Sequence, residues 1–124
     1  MSGCLGLLRE KPWLLPAAYA RSLGVSNARE LAAVLGVPRR LANSLARYLD
    51  RLEGCEAAVA RRGHRYAWVD GGTVYVAVVR ARRVSWYTVP WEAVENPEAY
   101  EGRLGYRARL ARLILGLDEG SSPS

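Results

Sequence analysis

Phenylalanine is absent from the 124-residue chain, lysine occurs only as Lys11, histidine only as His64, and cysteine only as Cys4 and Cys55. The two cysteines lie far apart and belong to no CxxC or Cys/His cluster, so their spacing supports neither a metal site nor a redox motif. They are expected as buried thiols; a disulfide between them stays open for a chain from an extreme thermophile, where intracellular disulfides occur. The lone histidine, beside a turn glycine, leaves no Ser/His/Asp or Cys/His arrangement for nucleophilic catalysis. A glycine-rich phosphate loop, a dinucleotide-binding fingerprint and internal repeats are also missing.

Long apolar runs are lacking as well. Leu5 to Pro16 is broken by Arg9, Glu10, Lys11 and two prolines, and no cleavage signal follows. The expected location is therefore cytoplasmic and nucleoid-associated, with no membrane partner. Carboxylates at Glu92, Glu95, Glu98 and Glu101 recur every three residues, but no Asp or Glu pair frames a strand as a metal-dependent nuclease requires. An acidic helix start facing its own dipole accounts for them. The sequence thus predicts no enzymatic activity, no catalytic residue, no metal and no cofactor.

What is present is positive charge and enough apolar material for one core. Lys+Arg 18 stand against Asp+Glu 12, giving net +6 and a pI near 9.8, with 50% hydrophobic residues. A chain of this length buries a single core and is too short for two ordinary domains. Arginine's planar donor fork fits phosphates and guanine edges better than lysine's point charge. A GC-rich genome or a hot habitat gives the same arginine bias without function.

Helical signals dominate the first half. Residues 17–24 read as a short helix closed by Gly24, with Leu14, Leu15, Tyr19 and Leu23 as its apolar contacts. Asn27, three residues before Glu30, forms an Asn-x-x-Glu capping pattern for a second helix that stops at Gly36. Pro38 in the first turn opens a third helix over 38–53, in which Leu41, Leu45, Leu49 and Leu52 share one face. Arg40, Asn43, Ser44 and Arg47 recur at i, i+3, i+4 and i+7 on another face, flanked by Arg39 and Arg51.

From Glu56 the period becomes two, predicting strands at 56–61, 65–69, 73–79 and 84–89 in an antiparallel meander. Alternate turns of a meander lie at one end, so Arg62-Gly63-His64 and Arg80 to Arg83 should emerge together. Residues 56–83 hold six arginines against Glu56 and Asp70, a local +4; residues 84–124 hold four arginines against six acids, −2. Pairing Val69 with Thr73 and Val79 with Val84 places Tyr66, Trp68, Val74, Val76, Val78, Tyr87 and Val89 on one face. Val69, Tyr75, Val79, Val84 and Trp86 then fall on the other. Both faces are apolar, so helices are expected to cover both and the aromatics to be core rather than a base-stacking platform. A helical turn at 91–96 and a helix from an Asn96-Pro97-Glu98 cap to about Leu117 complete the pattern. Tyr106, Leu110, Leu113 and Leu117 form one side of that helix, free to cover the sheet or to pair with a second copy.

The run Glu30-Leu-Ala-Ala-Val-Leu-Gly-Val-Pro-Arg-Arg-Leu-Ala-Asn-Ser-Leu resembles the helix-turn-helix motif of the winged-helix family, over residues 17–69. Ala32 matches the small residue where the two helices cross, Gly36 the turn glycine, and Leu31, Leu35, Val37 and Leu45 the apolar positions. Pro38 departs from the family's usual serine or threonine cap, and Ala42 is smaller than the usual apolar residue. The fold expected is α+β: a winged helix-turn-helix unit (three helices) over 1–69, then a further β-hairpin and C-terminal helix over 70–118 on the same core, with an antiparallel four-strand meander and a disordered tail at 119–124. The resemblance implies duplex DNA as partner, with Arg39, Arg40, Asn43 and Ser44 reading bases. Arg47, Arg51, Arg61, Arg62, His64, Arg65, Arg80, Arg82 and Arg83 would meet the backbone or minor groove. A homodimer through the C-terminal helix would set half-site spacing. A winged-helix protein-interaction module within a replication or transcription complex, and an RNA-binding version of the same surface, are the alternatives.

Overall fold

Along the chain, the computed structural model, which describes residues 3–117, has six α-helices and four strands. They are α1 (Gly3–Glu10), α2 (Leu15–Ser22), α3 (Ala28–Leu35), α4 (Arg39–Ala46), β1 (Ala60–Arg62), β2 (Arg65–Asp70), β3 (Thr73–Val79), β4 (Val84–Pro90), α5 (Trp91–Glu95) and α6 (Gly102–Leu115). Single 3₁₀ turns lie at Pro12–Leu14, Asp50–Leu52 and Pro97–Ala99. The strands form one antiparallel sheet in the order β1-β2-β3-β4, so the fold is α+β with a meander. The tail at 119–124 lies outside the described residues.

Local chemistry sets α3. The Asn27 side chain accepts from the Glu30 amide at 2.9 Å, and Glu30 accepts from the Ser26 amide at 3.0 Å, two donors otherwise orphaned at a helix start. The helix ends at Gly36, whose φ of +67° is the left-handed conformation anticipated for that turn. Val37 and Pro38 then lead into α4, where Pro38 is the extended N-cap rather than a first-turn residue.

Tertiary packing overrides the helical period elsewhere. The expected 38–53 helix stops at Ala46, and the chain tightens into i→i+3 bonds such as Leu49 N to Ala46 O at 3.1 Å before the 3₁₀ turn. The tightening still buries Leu45, Leu49 and Leu52, while Tyr48 sits edge-on to Trp13 with ring centroids 5.5 Å apart. The first predicted helix is displaced to Leu15–Ser22, leaving Leu23 exposed. Helix α1, which the interrupted pattern did not predict, is anchored by buried Leu7 and Leu8 and by a disulfide. Cys4 and Cys55 are bonded, their Cα atoms 5.8 Å apart, and are not the separate thiols expected. Closing a loop of 51 residues removes about 4 kcal/mol of denatured-state entropy on the chain-entropy account.

One sheet register also differs. Val79 does pair with Val84, but Asp70, not Val69, pairs with Thr73 across a two-residue Gly71-Gly72 turn, with Gly71 at φ +62°. A one-residue slip exchanges the faces of a strand. Tyr66 and Trp68 therefore join Tyr75, Ala77, Val79 and Val84 against the helical layer. Ala67, Val74, Val76, Val78 and Val89 face α5 and α6. Strand β1 begins at Ala60 instead of 56, because residues 56–59 make no ladder.

Helix α6 covers the second face with small residues. Gly105, Ala108, Ala111 and Ile114 are its buried side, whereas Tyr106, Leu113 and Leu117 are exposed. The expected single helix from Asn96 is divided: Pro97–Ala99 is a 3₁₀ turn, and α6 starts after Glu101. Close approach requires Gly105, since a Cβ there would clash with the carbonyl oxygen of Tyr100.

Two outcomes follow. Replacing Gly105 by alanine forces Tyr100 and α6 apart and should cost about 1–3 kcal/mol, read as a lower thermal midpoint. Reduction, or Cys4→Ser with Cys55→Ser, should lower that midpoint by on the order of 10 °C; an unchanged melt would show that the disulfide does not constrain the unfolded chain.

Candidate nucleic-acid interface

Burial of Ala42, Leu45 and Leu49 fixes the rotation of α4, because each leucine contributes roughly 1.5–3 kcal/mol by leaving water. The opposite side is left outward: Arg39, Arg40, Asn43, Ser44 and Arg47 are all exposed, as is Arg51 beyond the helix end. The Ser44 hydroxyl donates back to the Arg40 carbonyl at 3.4 Å. The Arg51 guanidinium lies 5.7 Å from the Tyr48 ring centroid.

The meander does bring both arginine turns to one end of the sheet. Arg62 pairs with Arg65 across the Gly63-His64 turn, and the Val79 amide donates to the His64 carbonyl at 2.9 Å, so the tip is tied to the end of β3. The Arg80 amide donates to the Arg83 carbonyl at 2.8 Å, closing the neighbouring turn. His64, Arg62, Arg65, Arg80, Arg82 and Arg83 are exposed. Asp70 is the only acid between residues 57 and 91, and it sits at the far end of the sheet, where Arg9 of α1 holds it by Nε and Nη2. The two turns at the tip end thus contribute basic residues and no acid of their own.

Arg61 is placed differently from its neighbours. It turns back onto the helical layer, its guanidinium 5.5 Å from the Tyr19 ring and 5.4 Å from the Tyr66 ring, while its Nε donates to the Gly63 carbonyl at 2.9 Å. These contacts brace the turn from inside.

Helix and turns meet in space. A cleft of about 500 Å³ between the start of α4 and the β3–β4 turn is lined by Pro38, Arg40, Leu41, Ala81 and Arg82. The basic face of α4 thus continues into the second arginine turn, which no sequence spacing indicates. A second cleft of about 500 Å³, on the α6 side of the same sheet end, is lined by Arg65, Arg80, Arg83, Arg103 and Arg107 with Ser85, Trp86, Tyr87, Tyr106 and Leu110. A segment charge count does not reveal Arg103 and Arg107, because the surrounding glutamates mask them. Their i, i+4 spacing was the available signal.

Comparison with family profiles, characterised proteins and solved structures gives no match to this chain.

Burial pushes the Tyr66 phenol up to about 12, with Arg61 pulling the other way, and its hydroxyl is buried without a hydrogen-bond partner. A folded pKa above the unfolded value of about 10 gives stability that is fully present below pH 10 and lost as the pH rises from 10 to 12. Denaturation midpoints should hold up to pH 10 and fall above it. In Tyr66→Phe that alkaline fall should be smaller, with neutral-pH stability unchanged or raised because an unpaired buried hydroxyl is removed.

Proposed function

We propose that the protein binds duplex DNA, with α4 as the recognition helix of a winged helix-turn-helix in the major groove and the arginine-tipped hairpins on the flanking backbone. The observation that carries this reading is the exposed Arg40, Asn43, Ser44 and Arg47 stripe, continuous through Arg82 with an acid-free sheet end. Arginine to guanine and asparagine to adenine are the common bidentate pairings, so Arg39, Arg40, Asn43 and Ser44 read bases, while Arg47, Arg51 and the tips meet phosphates. Such a protein acts by occupancy rather than chemistry, as a transcriptional regulator or a chromatin-associated factor of the nucleoid. No helix among the described residues is long and apolar enough to cross a membrane.

Exposed Leu113 and Leu117 at the end of α6 favour a homodimer, whose two α4 helices would meet half-sites about one DNA turn apart.

The test is affinity for random-sequence duplex DNA and duplex RNA from about 50 to 200 mM salt, for wild type and an Arg39/Arg40/Arg47 alanine triple variant. Duplex DNA binding with a log–log slope near −5, at about 0.9 per phosphate contact, and a shallower slope in the variant are expected. On a selected site, Asn43→Ala should cost about 1–3 kcal/mol and relax specificity at one base. Absence of duplex binding at every salt concentration overturns the reading and leaves a protein-interaction module.

A further inference from the structure

The cleft between β4 and α6 holds five arginines contributed by three parts of the chain: Arg65 from β2, Arg80 and Arg83 from the β3–β4 turn, and Arg103 and Arg107 from α6. No carboxylate lines it, and none of the five has a carboxylate partner among the described residues. Arg80 spends its Nε on the Ser85 hydroxyl at 3.3 Å, and Arg107 lies over the Tyr87 ring at 4.5 Å. Five like charges converging on about 500 Å³ repel one another, and an anion in the cleft relieves that repulsion.

The aromatic lining narrows the class of anion. Tyr106 is 59% exposed at the rim, and Tyr87, on the same side of β4 as α6, is half-buried, its hydroxyl buried without a hydrogen-bond partner. Flat apolar rings among arginine forks match a nucleotide, whose base stacks while its phosphate takes guanidinium donors. A mononucleotide phosphate carries a charge of only about −2, too little for five arginines. A duplex is too wide to enter, whereas a cleft of this size admits a splayed-out base with its backbone.

We propose that the cleft between β4 and α6 binds an unpaired nucleic-acid strand, with Tyr106 stacking a base and Arg65, Arg80, Arg83, Arg103 and Arg107 holding successive phosphates. The site lies across the sheet from α4 and shares Arg65, Arg80 and Arg83 with the hairpin tips of the duplex reading, whereas Tyr106, Arg103 and Arg107 belong to it alone. Where both operate, the protein sits at a junction of paired and unpaired DNA, because the β3–β4 turn borders both clefts.

The experiment uses the full chain with a fluorescein-labelled oligothymidine, the same oligomer as a duplex with its complement, and dTMP. Wild type should bind the oligothymidine with a steep salt dependence. Tyr106→Ala, at an exposed position, should weaken the single strand at least tenfold and the duplex less than twofold, with Tyr106→Phe restoring binding. Arg103→Ala should weaken the single strand and flatten its salt slope. Arg40→Ala with Arg47→Ala should do the reverse, lowering duplex affinity alone, so a failure of either site is separately visible. Equal loss of both forms in the cleft variants, no single-strand binding, or dTMP binding as tightly as the oligomer would each overturn the proposal.

Discussion

A β-sheet with two apolar faces cannot present either one to water, and this constraint organises the molecule. Strand β3, Thr73–Val79, has no charged residue and is buried along most of its length. Its Tyr75, Ala77 and Val79 pack toward the helical layer, and its Val74, Val76 and Val78 toward α6. Helices must therefore close on both sides, and the means differ. Leucines of α1 to α4 interdigitate with Tyr66 and Trp68 on one face, while α6 brings glycine and alanine close against valines on the other.

Covering both faces leaves the sheet's ends and its β1 and β4 edges open. At one end lie Asp70, held by its Arg9 partner, and Trp91, whose amide donates to the Gly72 carbonyl at 2.9 Å. At the other end lie the two arginine turns, flanked by α4 on the first face and α6 on the second, with no acid among them. The same coverage that stabilises the sheet thus concentrates cations where helices from both layers reach, and aromatic rings of β4 and α6 remain at that rim. Chemistry suited to nucleic acid is a consequence of how the two layers terminate.

Arg61 shows how stability and surface are divided within one turn. Its guanidinium between Tyr19 and Tyr66 braces the hairpin against the helical layer, while His64, Arg62 and Arg65 stay exposed at the tip. A rigid support behind an exposed basic turn limits the entropy lost when such a turn meets a polyanion.

The sequence by itself determined what local periodicity and capping encode. That includes the Asn27 cap and the Gly36 turn, the outward stripe of α4, the meander, and the gathering of alternate turns at one sheet end. These depend on neighbours within a few residues, where geometry follows directly from residue type. Only the tertiary structure decided the β2 register, the end of α4 at Ala46, the Cys4–Cys55 bond and the buried side of α6. Each is a choice between alternatives of similar local energy. Tyr66 and Trp68 are acceptable on either apolar face, and α6 has two candidate apolar sides, so fit to a distant partner settles them. The five-arginine cleft belongs to the same group, since Arg103 and Arg107 acquire their meaning only when α6 crosses the sheet beside Arg65, Arg80 and Arg83.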